Sequence, residues 1–171
     1  MRIECLFSGI ILPLLAIPWE LYAYSLDRSL YLGALVVSIA EIVSLLLVKK
    51  ITKNKLRMSY NRGIFLSIPM IIIMIIFPSS SPIIFKYPLL LFPAIIGGIC
   101  EEYIYRGYIL EEGKYDVYIQ AVLWSFNHIL DGPIFMIYTL FIGVILGLIS
   151  KKYGIMPCII AHVCSNVLRL M

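Results

Sequence analysis

The feature that most constrains this chain is a series of apolar runs that follow one another with only short polar breaks. The runs lie at about 5–24, 29–48, 63–78, 88–110, 116–130, 133–150 and 155–170. A membrane-spanning helix needs about 20 apolar residues, a length that most of these runs approach. The sequence therefore predicts an all-α fold, a polytopic transmembrane helix bundle of about seven spans, with residues 1–171 forming a single membrane domain.

Composition excludes the two main alternatives, a soluble globular domain and a disordered chain. Hydrophobic residues make up 61% of the 171 residues and charged residues 14%, against about 45–50% and about 25% in soluble domains. A soluble fold of this length would lack the charge that its surface needs. A disordered chain would be poor in Ile, Leu and aromatic residues. Any chemistry must therefore take place inside the bilayer or at its rim.

Positive charge predicts the orientation of the bundle. Six Lys and Arg residues lie within residues 49–62, and Lys151 and Lys152 follow the sixth run. Cytoplasmic loops are enriched in such residues, and four spans separate the two loops, so both can lie on one side. We expect a multi-pass protein of a prokaryotic cell membrane, with a retained first span, a cytoplasmic N-terminus and an outer C-terminus. The net charge of +4 then needs no nucleic-acid partner.

Several polar residues interrupt the apolar runs. A charged side chain at the bilayer centre costs about 2.5–3.5 kcal/mol on insertion scales, so such residues are candidates for a functional site. The set comprises Glu20, Glu41, Glu101, Glu102, Arg106, Asn127, His128, His162 and Asn166. The simplest interpretation of Glu41 is a buried polar contact, and that of Glu20 is an interfacial residue.

Three of the runs share a spacing of four residues, which places two side chains on one face of a helix. The pairs are Glu102 with Arg106, Trp124 with His128, and His162 with Asn166. Glu101 precedes Glu102 and lies about 100° away around the helix axis. Arg106 can therefore serve Glu102 and leave the other carboxylate free to act as a base.

Most of these residues also have a simpler interpretation. Glu102 and Arg106 can form a self-neutralising pair that lets a helix cross the membrane. The histidines can be interhelical hydrogen-bond donors, and Trp124 is more simply a packing residue. Only Glu101, a second carboxylate with no partner in its own helix, is poorly explained in this way.

Three segments together resemble the motifs of the CPBP family of intramembrane proteases. Residues 101–107 read EEYIYRG, residues 124–128 read WSFNH, and residues 162–166 read HVCSN. They are similar to the patterns Glu-Glu-x-x-x-Arg, aromatic-x-x-x-His and His-x-x-x-Asn, in that order and on separate helices. The family includes CAAX prenyl proteases of the Rce type and the Abi group of immunity-associated proteins. The resemblance covers about residues 88–171.

The resemblance implies a site buried among spans four, five and seven. Glu101 would be the general base that activates water, and His128 would hold and polarise that water. Glu102 would be held by Arg106 and would shape the site. The implied enzyme is a glutamate intramembrane endopeptidase, a hydrolase that cleaves a peptide bond of a membrane-associated or prenylated CAAX-type peptide. Its partners would be the lipid bilayer and this peptide or prenylated protein substrate.

The same resemblance makes His162 and Asn166 the donors of hydrogen bonds to the oxyanion. Members of the family are often called metalloendopeptidases, but no motif in this sequence requires a metal and the HExxH pattern is absent. A zinc ion, if bound, would be held by Glu101, His128 and His162. The sequence has no Gly-x-Ser-x-Gly elbow, and its aspartates, Asp27, Asp116 and Asp131, are expected in loops. Serine and aspartyl proteases are therefore disfavoured.

Two other functions stay open. A non-catalytic bacteriocin self-immunity protein, or another peptide-binding membrane protein, would keep the polar site but tolerate Glu101→Gln. A small transporter would use Glu101 and His128 as a proton relay.

Overall fold

The computed structural model describes residues 2–25, 30–52, 63–76, 88–111 and 113–171, and the regular structure in these ranges is all helical. The α-helices are α1 (Ile3–Ser25), α2 (Leu30–Thr52), α3 (Ile68–Ile76), α4 (Leu91–Glu102), α5 (Asp116–Ser125), α6 (Pro133–Tyr153) and α7 (Met156–Leu170). Each α-helix coincides with one of the seven apolar runs. The predicted all-α, polytopic helix bundle is therefore confirmed.

Helices of other types extend three of these elements. Short 3-10 helices at Ile64–Ser67 and Pro88–Leu90 lead into α3 and α4, and a third, Phe126–Asp131, continues α5. Beyond Glu102, α4 continues as a π-helix over Tyr103–Ile109. At its end the N–H of Leu110 donates to the carbonyl of Tyr105, five residues back, at 3.1 Å. The sequence did not predict this π-helix, a rare structure that is frequent at functional sites.

Four helical stretches are long and apolar enough to cross a membrane, by length and composition. They are Ile3–Tyr22, Tyr31–Thr52, Pro88–Ile109 and Pro133–Tyr153. Two shorter apolar helices lie at Ile64–Ile73 and Met156–Leu170. Helix α7 packs against the long helices α4 and α6, and α3 packs against α7.

The polarity of the bundle is the reverse of that of a soluble protein. Large apolar side chains face outward, with Leu14 exposed by 67% and Ile134 by 84%. In contrast, Glu102, Arg106 and Gln120 are fully buried. Lipid tails solvate an apolar exterior, and hydrogen bonds between helices satisfy the polar interior. The distribution of side chains therefore agrees with a membrane-embedded bundle.

One end of the bundle collects the segments that the charge pattern places on one side. The side chain of Arg2 donates to Glu111 and to the carbonyl of Thr52, the latter at 3.2 Å. Lys151 Nζ donates to the carbonyl of Gly113 at 2.7 Å. The start of α1, the ends of α2 and α6, and the segment after the π-helix therefore meet at this end, which we call the Arg2 end.

Small residues on α6 allow α5 to approach closely. A Cβ added at Gly143 would lie 3.0 Å from the Cβ of Ala121, and one at Gly147 would lie 2.5 Å from the amide nitrogen of Gln120. The same amide donates to the carbonyl of Gly143 at 2.8 Å. Gly143 and Gly147 therefore form a small-xxx-small contact of the kind that joins membrane helices.

We expect Gly143→Leu to force α6 away from α5 and to break the hydrogen bond from Gln120. The free energy of unfolding should fall by about 1–3 kcal/mol, the usual cost of overpacking. Denaturant unfolding in detergent micelles measures this change. Ile145→Leu, on the exposed face of α6, is the control and should unfold like the wild type. Equal stability of both variants would contradict the close contact between the helices.

Candidate active site

The two adjacent glutamates at the end of α4 have different partners. Glu102 Oε1 accepts a hydrogen bond from Arg106 Nη1 at 3.0 Å and lies 2.9 Å from His162 Nδ1 on α7. Glu101 Oε2 accepts a hydrogen bond from the indole N–H of Trp124 on α5. The two carboxylates therefore diverge as their positions on the helix predict, but Glu101 does have a partner, on another helix.

The side chains of Glu102 and Arg106 are both 0% exposed. A single hydrogen bond joins them, not the two of a bidentate pair, and in the described ranges Arg106 Nε and Nη2 find no partner. The guanidinium carbon instead lies 4.0 Å from the centroid of the Trp124 ring, a cation–π contact that stabilises the charge away from water. The hydroxyl of Ser150 donates to the Arg106 carbonyl at 3.4 Å, which links α6 to the π-helix.

Trp124 is the side chain that joins the parts of the site. Its ring contacts the rings of His128 and His162 edge to face, with centroids 5.5 and 5.4 Å apart. The guanidinium of Arg106 stacks on the same ring, and the indole N–H donates a hydrogen bond to Glu101. The interpretation of Trp124 as a packing residue is therefore incomplete, because the residue also acts as a polar donor. Its position four residues before His128 was the available signal.

His128 is held by a residue that the sequence analysis expected only as part of a loop. Its Nδ1 lies 3.1 Å from an oxygen of Asp131, which ends the 3-10 helix. This hydrogen bond from His128 lowers the pKa of Asp131 below its ordinary value. An ionised Asp131 accepts a hydrogen bond from Nδ1, which leaves Nε2 as the ring nitrogen available to another partner. Nε2 is buried and has no partner among the described residues.

The first helix also reaches the site. The hydroxyl of Tyr105 lies 3.1 Å from the carbonyl of Gly9 and 3.1 Å from the amide oxygen of Asn127, next to His128. The carbonyl of Gly9 is available because Pro13, four residues later in α1, has no N–H to donate. Sequence analysis missed this connection, although the proline was a visible signal.

Asn166 lies one helical turn beyond His162 on α7. Its amide nitrogen donates to the carbonyl of Ala94 on α4 at 3.1 Å. One of its two N–H groups thus ties α7 to α4, and the other is left for a further acceptor. The structure therefore joins α4, α5 and α7 through the residues that the three motifs contain.

The expected zinc ligands do not form a set in this structure. Across the described ranges, no three His, Cys, Asp or Glu side chains lie close enough together to hold a metal ion. Zinc takes three or four protein ligands, so this geometry does not fit it.

We expect Arg106→Met to destabilise the protein by about 3–5 kcal/mol, because the buried carboxylate of Glu102 loses its cation. Adding Glu102→Gln should recover part of that loss, since the unpaired charge is then gone. Denaturant unfolding of both single variants and the double variant in micelles gives the coupling free energy. A double variant whose cost equals the sum of the single costs would show that the two side chains do not depend on each other.

The family described as type II CAAX prenyl endopeptidase Rce1-like matches residues 83–168, about half of the chain. The matched range contains the three motif segments and helices α4 to α6, whereas α1, α2 and α3 lie outside it. No curated protein and no solved structure matches the chain.

Proposed function

The chain belongs to the Rce1-like family of type II CAAX prenyl endopeptidases, and we propose that Glu101 activates water in it to hydrolyse a peptide bond of a membrane-associated or prenylated peptide. Proteases of this family are CAAX-type hydrolases. The observation that carries the mechanism is the position of Glu101 beside Trp124, whose ring contacts both His128 and His162. The proposed base Glu101, the proposed acceptor His128 and the proposed donor His162 thus all contact the indole ring of Trp124.

Water activation uses the free atoms of Glu101 and His128. The indole N–H of Trp124 occupies Glu101 Oε2, which leaves Oε1 to accept a proton from water. The second O–H of the water stays intact and donates a hydrogen bond to His128 Nε2, which is buried without a partner among the described residues. Such positioned proton acceptors contribute about 10²–10⁴-fold to a reaction rate.

The oxygen of this water adds to the carbonyl carbon of the peptide, and negative charge develops on the carbonyl oxygen. His162 is bonded to Glu102 through Nδ1, which leaves Nε2 as the ring nitrogen that donates to the oxyanion in this proposal. The second N–H of Asn166 is the other donor that we propose. When the C–N bond breaks, Glu101 gives its proton to the nitrogen, which completes the hydrolysis.

We infer that the Arg2 end of the bundle faces the cytoplasm of the cell. Lys49, Lys50 and Lys152 are exposed near this end, and loops rich in Lys and Arg remain on the cytoplasmic side during insertion. The N-terminus then lies inside and the C-terminus outside.

We expect Glu101→Gln to lower cleavage at least about 100-fold, because the amide cannot take a proton from water. Wild-type protein in lipid vesicles is incubated with peptides that carry prenylated C-termini or double-glycine leaders, and mass spectrometry identifies the products. Glu4→Gln, the same change at an exposed position in the first turn of α1, is the control and should cleave like the wild type.

Equal cleavage by Glu101→Gln and wild type would contradict the role of Glu101. If neither folded protein cleaves any peptide but both still bind one, the protein is a peptide-binding or immunity protein instead.

We expect Asp131→Asn to lower kcat at least about tenfold and to leave KM nearly unchanged. The neutral amide no longer fixes the proton of His128 on Nδ1, so Nε2 is no longer held as an acceptor. Steady-state kinetics on the peptide identified above measure both constants, and His128→Ala shows the full loss. A kcat within twofold of the wild-type value would contradict this role of Asp131.

A further inference from the structure

A third glutamate, Glu41 on α2, is buried against α4, the helix that carries the proposed base, and has no part in the mechanism above. Its side chain is 6% exposed, and Oε2 makes no hydrogen bond to any described residue. A buried polar group without a partner is costly, above all inside a membrane bundle. The polar contact expected from the sequence is thus missing in the described structure, and a ligand that donates hydrogen bonds would supply it.

Glu41 meets α4 at Gly97. A Cβ added at Gly97 would lie 2.8 Å from Glu41 Oε1, so the carboxylate rests against the helix backbone. Gly97 and Glu101 are four residues apart and therefore share one face of α4, about 6 Å apart along the axis. Since helix side chains lean toward the N-terminus of their helix, Glu101 leans toward Gly97 and Glu41.

The surroundings of Glu101 differ in charge between two directions. On the side of Arg106 and His162, the carboxylate of Glu102 is paired with the guanidinium and with the imidazole Nδ1. On the side of α2 and α1 the described side chains Glu41 and Glu20 are acidic, and the charges of Glu101 and Glu20 both act on Glu41. We therefore expect the negative oxyanion to bind on the side of His162. A group with N–H donors and positive charge should bind beside the acidic side chains.

We propose that Glu41 binds the amino group of the departing peptide, a primary amine that is an ammonium ion at neutral pH. This inference rests on the proposed function. Hydrolysis breaks the C–N bond, the oxygen of water stays on the acyl carbon, and one water proton passes through Glu101 to the nitrogen. The resulting amine takes a further proton from solvent. The ammonium ion then donates to Glu41, which rests against Gly97, one helical turn before Glu101 on α4.

The test compares two product peptides as inhibitors of the full-length protein in lipid vesicles. Both have the sequence of the C-terminal fragment released in the cleavage assay, one with a free amino terminus and one N-acetylated. We expect the free amine to inhibit the wild type at least about tenfold more strongly, as a charge-assisted hydrogen bond requires. Glu41→Gln should reduce this ratio to near one, and the control Glu4→Gln should keep it.

A second variant tests the same contact without changing any charge. Gly97→Ala places a methyl group against Glu41 Oε1 and should shift the carboxylate, so the preference for the free amine should fall but not vanish. Thermal unfolding of each variant in micelles shows that it is folded. Because Gln has the shape of Glu, a purely structural role of Glu41 would not change the ratio selectively.

A preference that survives Glu41→Gln, or a wild type without any preference, would overturn this inference. Either result can occur while cleavage still depends on Glu101, in which case the proposed function stands and only the role of Glu41 fails. A wild type that cleaves no peptide would overturn the proposed function and this inference together.

Discussion

The structure depends above all on one buried negative charge, the carboxylate of Glu102. It lies 0% exposed in a bundle with an apolar exterior, where an unpaired ion would be very costly. Its compensation comes from Arg106, one turn along the same helix, and from His162 on α7. The guanidinium of Arg106 in turn makes a cation–π contact with the face of Trp124 on α5. A single charge thus draws three helices together.

This arrangement explains why the adjacent carboxylates of Glu101 and Glu102 have partners of different charge. Arg106 and His162 contact Glu102, while Glu101 turns away from them and accepts a hydrogen bond from Trp124. In the proposed reaction, a peptide bond would align with this difference, its oxygen near the donors and its nitrogen near the acceptors. Helices α1 and α2, outside the range matched by the family, would then contribute to binding the product.

Local patterns in the sequence predicted the helices and the pairing of Glu102 with Arg106, but not the π-helix. Six of the seven residues of the π-helix are buried, so the segment has no polar face whose period could reveal its wider turn. The role of Asp131 was missed for a different reason. An aspartate before Gly132 and Pro133 is typical of a turn, and its bond to His128 depends on the 3-10 geometry that continues α5.

The sequence by itself determined that the chain forms apolar helices and that Glu102 can pair with Arg106. Both follow from composition and from the spacing of four residues, which helix geometry converts directly into proximity. Only the tertiary structure decided that Trp124 donates to Glu101, that His162 meets Glu102 and that Glu41 rests on Gly97. Those contacts join different helices, and they depend on the depth, rotation and close approach of each helix, which side-chain packing sets and sequence periodicity does not encode.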